Sequence, residues 1–551
     1  MTRSIPVGQV RWCGDRALLI GVEDAAAGRA LRDRLAVALG VDPVVGLATV
    51  LVVADDPADV ERVSAVVLDS LGQPPGPVVS VPTGAPITIE CRFDGPDLDQ
   101  VAAQSGLAVD QVVHLLVSAP LSVAMVGFSP GFAFLGGLPE PLRHVGRRPR
   151  PRPAVPAGSL ALANGYAAVY PSASPGGWQL MGRTAATLFS PAEPPFARLA
   201  PGDRVQLIAA PGDVAAPAGW VMPAWAPPDG VRQVFTVLRP GLRTVLQDAG
   251  RRGAAALGVP TAGPADSGSL GLANRLVGNP AGATALEVTA QGPTLRVEAP
   301  GYVALVGATP RVRLDATEVP ASRVVPVGTG QELVIDAVHP GLRTYLAVAG
   351  GLVGPSFLDS TASDQLSGLG PGPLRAGDPV YAATLTLPLG DHLDTDVVPS
   401  ASGAIPLRVV AGPHHEWFEP DALDRLAAAT FEVDKASNRV GLRLEAVIGW
   451  SALRSADRVG AELESQGMVD GALQVPPEGA PIVLLPDHAT HGGYPVVAVV
   501  AAVDQGRLGQ LAPGDRVTFM PIELDQARQL AGEQGRRLER AVVGHYPVAV
   551  D

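Results

Sequence analysis

Leu199-Ala-Pro-Gly-Asp-Arg-Val205 recurs, residue for residue, as Leu511-Ala-Pro-Gly-Asp-Arg-Val517. Upstream of each copy lies a Gly-Gly-aromatic step, Pro175-Gly-Gly-Trp178 and His491-Gly-Gly-Tyr494. Upstream of those lies a Val-Pro, in Val155-Pro-Ala-Gly158 and Val475-Pro-Pro-Glu478. Order and approximate spacing agree, so two distant regions read as copies of one β module. Leu374-Arg-Ala-Gly-Asp-Pro-Val380 is a weaker third echo. The repeats are too long and irregular for a solenoid, and closed β-barrels suit them better.

Working outward, residues 1–86 read as a small α/β domain. Arg16–Val22 and Ala48–Ala54 are strand-like, and Ala25–Leu39 and Val60–Leu71 have helical periodicity. The turn-rich stretch Gly72–Pro86 follows. Residues 87–209 read as a first barrel interrupted by helices at Asp97–Ser105 and Val109–Leu116. The Ala/Pro/Gly-rich stretch 210–233, with Trp220 and Trp225, reads as a linker. Two further barrels are expected at 234–395 and 396–551, with helices at Asp266–Leu276, Pro420–Ala429 and Glu523–Arg540. The fold class is therefore mainly β with α+β additions: β-barrel modules in tandem behind a small N-terminal α/β domain.

The chain has 551 residues and a net charge of −13, which disfavours a nucleic-acid partner. Lys435 is the single lysine among 41 cationic side chains. No P-loop lysine and no biotinyl-lysine motif can be drawn from it, so no covalent biotin is expected on this chain. Two cysteines, Cys13 and Cys91, are too few for a zinc cluster and read as reduced thiols of a cytoplasmic protein. No signal peptide is expected. The uncharged stretch Ala119–Leu138 contains two prolines and four glycines, so it reads as a strand followed by a loop rather than a membrane span.

Gly127-Phe-Ser-Pro-Gly131 matches the G-x-S-x-G pattern, but Pro130 has no N–H where an oxyanion hole needs one. A glycine loop that admits a ligand, or a tight turn, remains. Pro175-Gly-Gly-Trp178 reads either as a pocket wall or as a bulge. Gln247-Asp-Ala-Gly-Arg-Arg-Gly253 packs an amide, a carboxylate and two guanidiniums into one turn, and arginine forks suit carboxylate or phosphate. Glu287 stands among apolar neighbours and is expected either to have a shifted pKa or to form a buried salt bridge with Arg251 or Arg252. Asp487-His-Ala-Thr-His491 resembles a partial metal set, yet its histidines lie in a loop, and no metal site is assigned.

Together these motifs carry a family resemblance. Gly127-Phe-Ser-Pro-Gly-Phe132, Pro156-Ala-Gly-Ser159 and Pro175-Gly-Gly-Trp178 resemble allophanate hydrolase subunit 1, also known as the B component of 5-oxoprolinase. Gln247-Asp-Ala-Gly-Arg251, Ala273-Asn274, Ser437-Asn-Arg439, Gln474-Val-Pro476 and Gly492-Gly-Tyr-Pro495 resemble allophanate hydrolase subunit 2, the C component of 5-oxoprolinase. The resemblance covers the whole chain, B-like half first and C-like half second. It implies cyclophilin-like barrels and a hydrolase of a cyclic amide. The reaction would use ATP, with Mg, and a separate A component to convert 5-oxo-L-proline to L-glutamate. Two alternatives come with it: a carboxyltransferase served by a separate biotin carrier, or a regulatory protein like a related kinase inhibitor.

Under the first reading the expected catalytic groups are Arg251, Arg439 and Arg443, to hold anions, and Asp248 and Asp487, as acid–base or metal-facing carboxylates. Substrate contacts are expected at Gly127, Phe128, Pro130, Gly131, Phe132, Gly176, Gly177, Trp178, Gln247, Gln474, Gly492, Gly493 and Tyr494. Homo-oligomers are compatible with it, and no membrane partner is expected. The sequence departs from the family pattern at Leu116 and Leu121, with His114 displaced, at Thr361, and at Ala489.

Overall fold

The computed structural model describes residues 5–54, 59–73, 84–148, 150–308, 310–385, 387–393, 404–451 and 454–543. Both copies of the heptapeptide build one turn. The Ala200 N–H donates to the Asp203 carboxylate (2.8 Å), and the Ala512 N–H to Asp515 (2.7 Å). Gly202 and Gly514 sit at φ +96° and +90°, where a side chain would be strained. The strands that follow, Arg204–Ala209 and Arg516–Pro521, run parallel to Ile87–Cys91 and Ile405–Ala411. Val205 faces Ile87, and Val517 faces Ile405. The third echo repeats the turn, with Arg375 N–H on Asp378 (2.7 Å) and Gly377 at φ +91°.

Around the first turn, seven strands form one sheet whose ends meet through an Arg92–Arg183 bridge, giving a nearly closed barrel. Around the second, seven strands between Ile405 and Pro521 close completely. Alternate apolar side chains fill each interior.

The barrel expected at 234–395 is corrected. That region is a seven-stranded and a five-stranded sheet sharing one apolar core. The outer face of the five-stranded sheet is covered by helix Ser267–Leu276, so the sheet stays open to receive it.

The N-terminal unit is a four-stranded antiparallel sheet. One face carries helices Ala25–Leu39 and Val60–Gly72. Its other face packs on the second barrel, with Ile5, Cys13, Leu19 and Leu51 against Met468, Val496 and Val499. The first and last units are thus stacked, a contact that no local pattern announces. Cys13 and Cys91 are free and buried, and burial pushes both thiols up to about 12.

The linker is strapped down. Trp220 packs edge-on against Phe189 (5.0 Å) and donates to Ser367 O, while Trp225 packs on Tyr381. Helices lie where periodicity placed them, within two residues at most termini. The short helices Glu140–Arg143 and Ala502–Leu508 were not legible. Most of the turn-rich stretch 72–86, and the boundary at 395/396, fall outside the described residues. Ala119–Leu138 holds strands Leu121–Val126 and Ala133–Gly136 around a loop. Among the described residues no single helix is long and apolar enough to cross a membrane.

Candidate functional site at the junction of the two halves

The loop from Asp487 to Tyr494 is the hub. Asp487 points inward and accepts from Arg439 through both carboxylate oxygens, each at 3.0 Å. Arg439 also donates to Glu287 and to the Gly263 carbonyl. Glu287 accepts from the Tyr345 hydroxyl (2.8 Å) and the Ala265 N–H (3.0 Å). Every member is buried. Burial alone would lower the Arg439 pKa, but Glu287 and Asp487 raise it above its ordinary value. Burial alone would raise Glu287, but Arg439 and Arg343 pull it below its ordinary range. Glu287 is thus paired, but with Arg439 and Arg343 rather than with the expected Arg251 or Arg252. This cluster joins the five-stranded sheet to the second barrel. The fork of Arg439, expected to hold an anion, is engaged by Asp487, Glu287 and Gly263. Asp487 is equally committed, with the Gln365 N–H (2.9 Å) completing its shell.

The histidines face other ways. His488 contacts Asp470 (3.4 Å), and its Nδ1 lies 2.6 Å from the Ala489 carbonyl. Burial would lower its pKa, yet Asp470 leaves it raised. His491 bonds Thr490 (2.9 Å) and the Val45 carbonyl (3.0 Å), and burial lowers it to about 4. The loop Gly127–Phe132 of the first barrel packs directly on the His491 ring at Gly127. It is tied to the middle unit by the Gly131 N–H on Leu257 O (2.8 Å). Ser129 is buried in this contact and Phe128 adopts φ +72°.

A second group surrounds segment Ala362–Asp364. Asp248 accepts from Ser360 Oγ (2.7 Å), Thr361 N–H (2.7 Å) and Gly250 N–H (2.9 Å). Thr361, where the family pattern has arginine, thus anchors the loop through Asp248. Asp248 is fully used as an acceptor, so its acid–base role is not supported by its bonding. Arg251 is only 1% exposed and donates one Nη2 bond to the Ala362 carbonyl, while its Nε and Nη1 have no partner among the described residues. Gln247 Nε2 donates to Ser363 O (2.9 Å), and its Oε1 is also unpartnered there. So is Asp364 Oδ2, and burial with nearby Asp487 raises the Asp364 pKa to about 6. Three buried side chains around one segment therefore hold unspent hydrogen-bonding capacity, an arrangement that native cores avoid unless something else fills it. The bonding of Asp364 was not anticipated; its place three residues beyond Thr361 in the Asp359–Asp364 stretch was the available signal.

The remaining expected residues divide. Phe132 and Trp178 are core: Phe132 packs edge-on against Phe128, Phe134, Tyr170 and Trp178 at 5.2–5.7 Å. Trp178, expected in a pocket wall, is 7% exposed and enclosed by these rings. Pro130 is buried beside Ser129. Gly176 allows the Tyr170 hydroxyl to press on backbone. Gln474 lies against Gly492 and donates to Met468 Sδ (3.1 Å). Gly493 and Tyr494 are partly exposed. Arg443 is exposed on strand Gly441–Ile448 and is not brought to the buried groups. Leu116 and Leu121 fill the first barrel core, and His114 is exposed.

Comparison with known proteins agrees with this layout. Residues 8–199 match a family model described as carboxyltransferase domain, subdomain C and D, and residues 257–521 match subdomain A and B. The chain is 34% identical over 314 residues to the C component of 5-oxoprolinase from Escherichia coli K12, covering 56% of this chain and 97% of that one. It is 50% identical over 114 residues to the B component of 5-oxoprolinase from Escherichia coli O157:H7, covering 21% of this chain and about half, 52%, of the relative. The crystal structure of TTHA0988 superposes with a TM-score of 0.79 at 32% identity, covering 93% of this chain and all of that one. Two barrels, a shared turn and two joined halves place this chain in the carboxyltransferase-domain family that includes the B and C components of 5-oxoprolinase.

Proposed function

We propose that this chain is the joined B–C component of an ATP-dependent 5-oxoprolinase, working with a separate A component to open 5-oxo-L-proline to L-glutamate. The observation that carries the reading is that, among the described residues, Nε and Nη1 of buried Arg251, Oε1 of Gln247 and Oδ2 of Asp364 have no hydrogen-bond partner. A buried guanidinium with two idle donors suits a planar carboxylate. An idle amide or carboxylate oxygen suits a lactam N–H. 5-Oxoproline carries both groups on one small ring. A lactam is a stable amide, so phosphorylating its oxygen makes the carbon open to water. ATP enters as co-substrate, with magnesium arriving on its phosphates. Arg251 would fix the carboxylate, and Gln247 would orient the ring.

The test is 5-oxoproline-dependent phosphate release by the purified chain, alone and mixed with an A-component protein. Turnover in the mixture, lost in Arg251→Gln, supports the reading. No turnover in either, with both proteins folded, overturns it. The description of the matching family models favours a second reading, carboxyl transfer from a separate biotin carrier. Carboxybiotin-dependent transfer in the same preparation would select it.

A further inference from the structure

We infer that Arg147, Arg148 and Arg152, on the rim of the first barrel, form a binding site for a phosphate group. The inference deepens the ATP-dependent reading, on which it rests, by giving the chain a phosphate-binding surface outside the Arg251 group.

The segment Arg147-Arg-Pro-Arg-Pro-Arg152 places four guanidiniums in six residues of a chain whose net charge is −13. Among the described residues, one carboxylate meets them. Asp97 accepts from Arg148 Nη1 (2.8 Å), Arg152 Nη2 (2.8 Å) and the Leu180 N–H (2.7 Å). Burial would raise Asp97, but Arg152, Leu180 N–H and Arg148 hold it below its ordinary range. One negative charge thus faces two positive ones, and no ion pair to Arg147 is present among the described residues. The donors are also underused. Arg147 Nε, Arg148 Nε and Arg152 Nη1 are buried without a partner there. Leaving several charged donors idle is costly unless an anion completes them.

The surroundings suit a compact oxyanion. Gly176 and Gly177 bring backbone close, and the Arg148 N–H is fixed on Gly177 O at 2.7 Å. Burial pushes the Tyr170 hydroxyl up to about 12 although Arg147 and Arg152 act on it, so it stays a neutral donor. Across the gap the second barrel offers Gly493: both Nη atoms of Arg147 lie 3.8 Å from where its Cβ would stand. The two Gly-Gly steps of the repeated modules therefore meet at these arginines. Arginine forks hold phosphate bidentately, which supplies what a P-loop lysine would supply elsewhere.

The test is titration calorimetry of the full chain at pH 7.5 with inorganic phosphate, ADP and adenosine, using the native protein and Arg147→Gln. Phosphate and ADP should bind, adenosine should not, and Arg147→Gln should weaken phosphate at least tenfold. ADP binding more than tenfold tighter than phosphate assigns the site to nucleotide phosphates; equal binding assigns it to free phosphate or a phosphorylated substrate. In the native chain, phosphate should also protect Arg147 from phenylglyoxal, read by mass spectrometry, which decides the matter if the variant does not fold. No phosphate binding, or no protection at Arg147, overturns the inference. Phosphate binding without turnover overturns the 5-oxoprolinase reading alone, and turnover without phosphate binding overturns this site alone.

Discussion

The backbone of Gly127 rests on the ring of His491: a Cβ added to Gly127 would fall inside the imidazole. A loop of the first barrel and a loop of the second are thereby seated without a side chain between them. Gly127→Ala should cost about 1–3 kcal/mol, as overpacking of a buried contact does. His491→Ala should recover part of it. A double-mutant cycle by urea denaturation checks this: additive losses would refute the contact.

Arg439 is the tie between the middle sheets and the second barrel. Arg439→Met leaves Asp487 buried without its cation and Glu287 with Arg343 alone. A loss of about 3–5 kcal/mol is expected, enough to abolish cooperative unfolding at moderate temperature. Differential scanning calorimetry reads the outcome, and a shift below about 1 kcal/mol would contradict it.

Arg251 should behave oppositely. Its Nε and Nη1 make no hydrogen bond among the described residues. Arg251→Met removes idle donors, so thermal stability should change far less than in Arg439→Met. Turnover with the A component should fall at least a hundredfold. Equal stability losses in the two variants would show that Arg251 is a structural cation.

Stability should fall on acidification. Burial first, and neighbouring charge second, depress His414 to about 3 and His491 to about 4. Both lie below the ordinary value near 6.5, so the unfolded chain binds more protons from about pH 6.5 down to 4. Their stabilisation is complete above that window and is lost through it. Asp364 acts with the opposite sign: raised to about 6, it favours the folded state as pH falls from about 6 to 4. Asp364→Asn should therefore be more stable than the native chain at pH 7.5, with the advantage gone below about pH 4. Thermal melts across that range test both signs.

The repeat was legible because a turn needs fixed residues at fixed positions. Gly202, Asp203, Gly514 and Asp515 announce the turn without reference to the rest of the chain. Helices with clear periodicity were legible for the same local reason. The site was only partly legible. Residue type picked out Arg251 and Arg439 equally, but burial and partners separate them: one fork is engaged four ways and the other is half idle. Trp178 looked like a ligand wall because a flanking Gly-Gly suggests access, whereas neighbouring rings enclose it. The open middle unit was read as a barrel because strand spacing alone does not record whether a sheet's ends meet.

The stacking of the N-terminal sheet on the second barrel has a consequence for synthesis. The Asp15 carboxylate accepts the N–H of Ala502, a partner 487 positions later, and Cys13, Leu19 and Leu51 face Val499. During translation that apolar face emerges early and has no cover until nearly the whole polypeptide has left the ribosome. A nascent chain stalled within the linker should hold an uncovered sheet, attract general chaperones, and become protease-resistant there only when the distal barrel is supplied in trans.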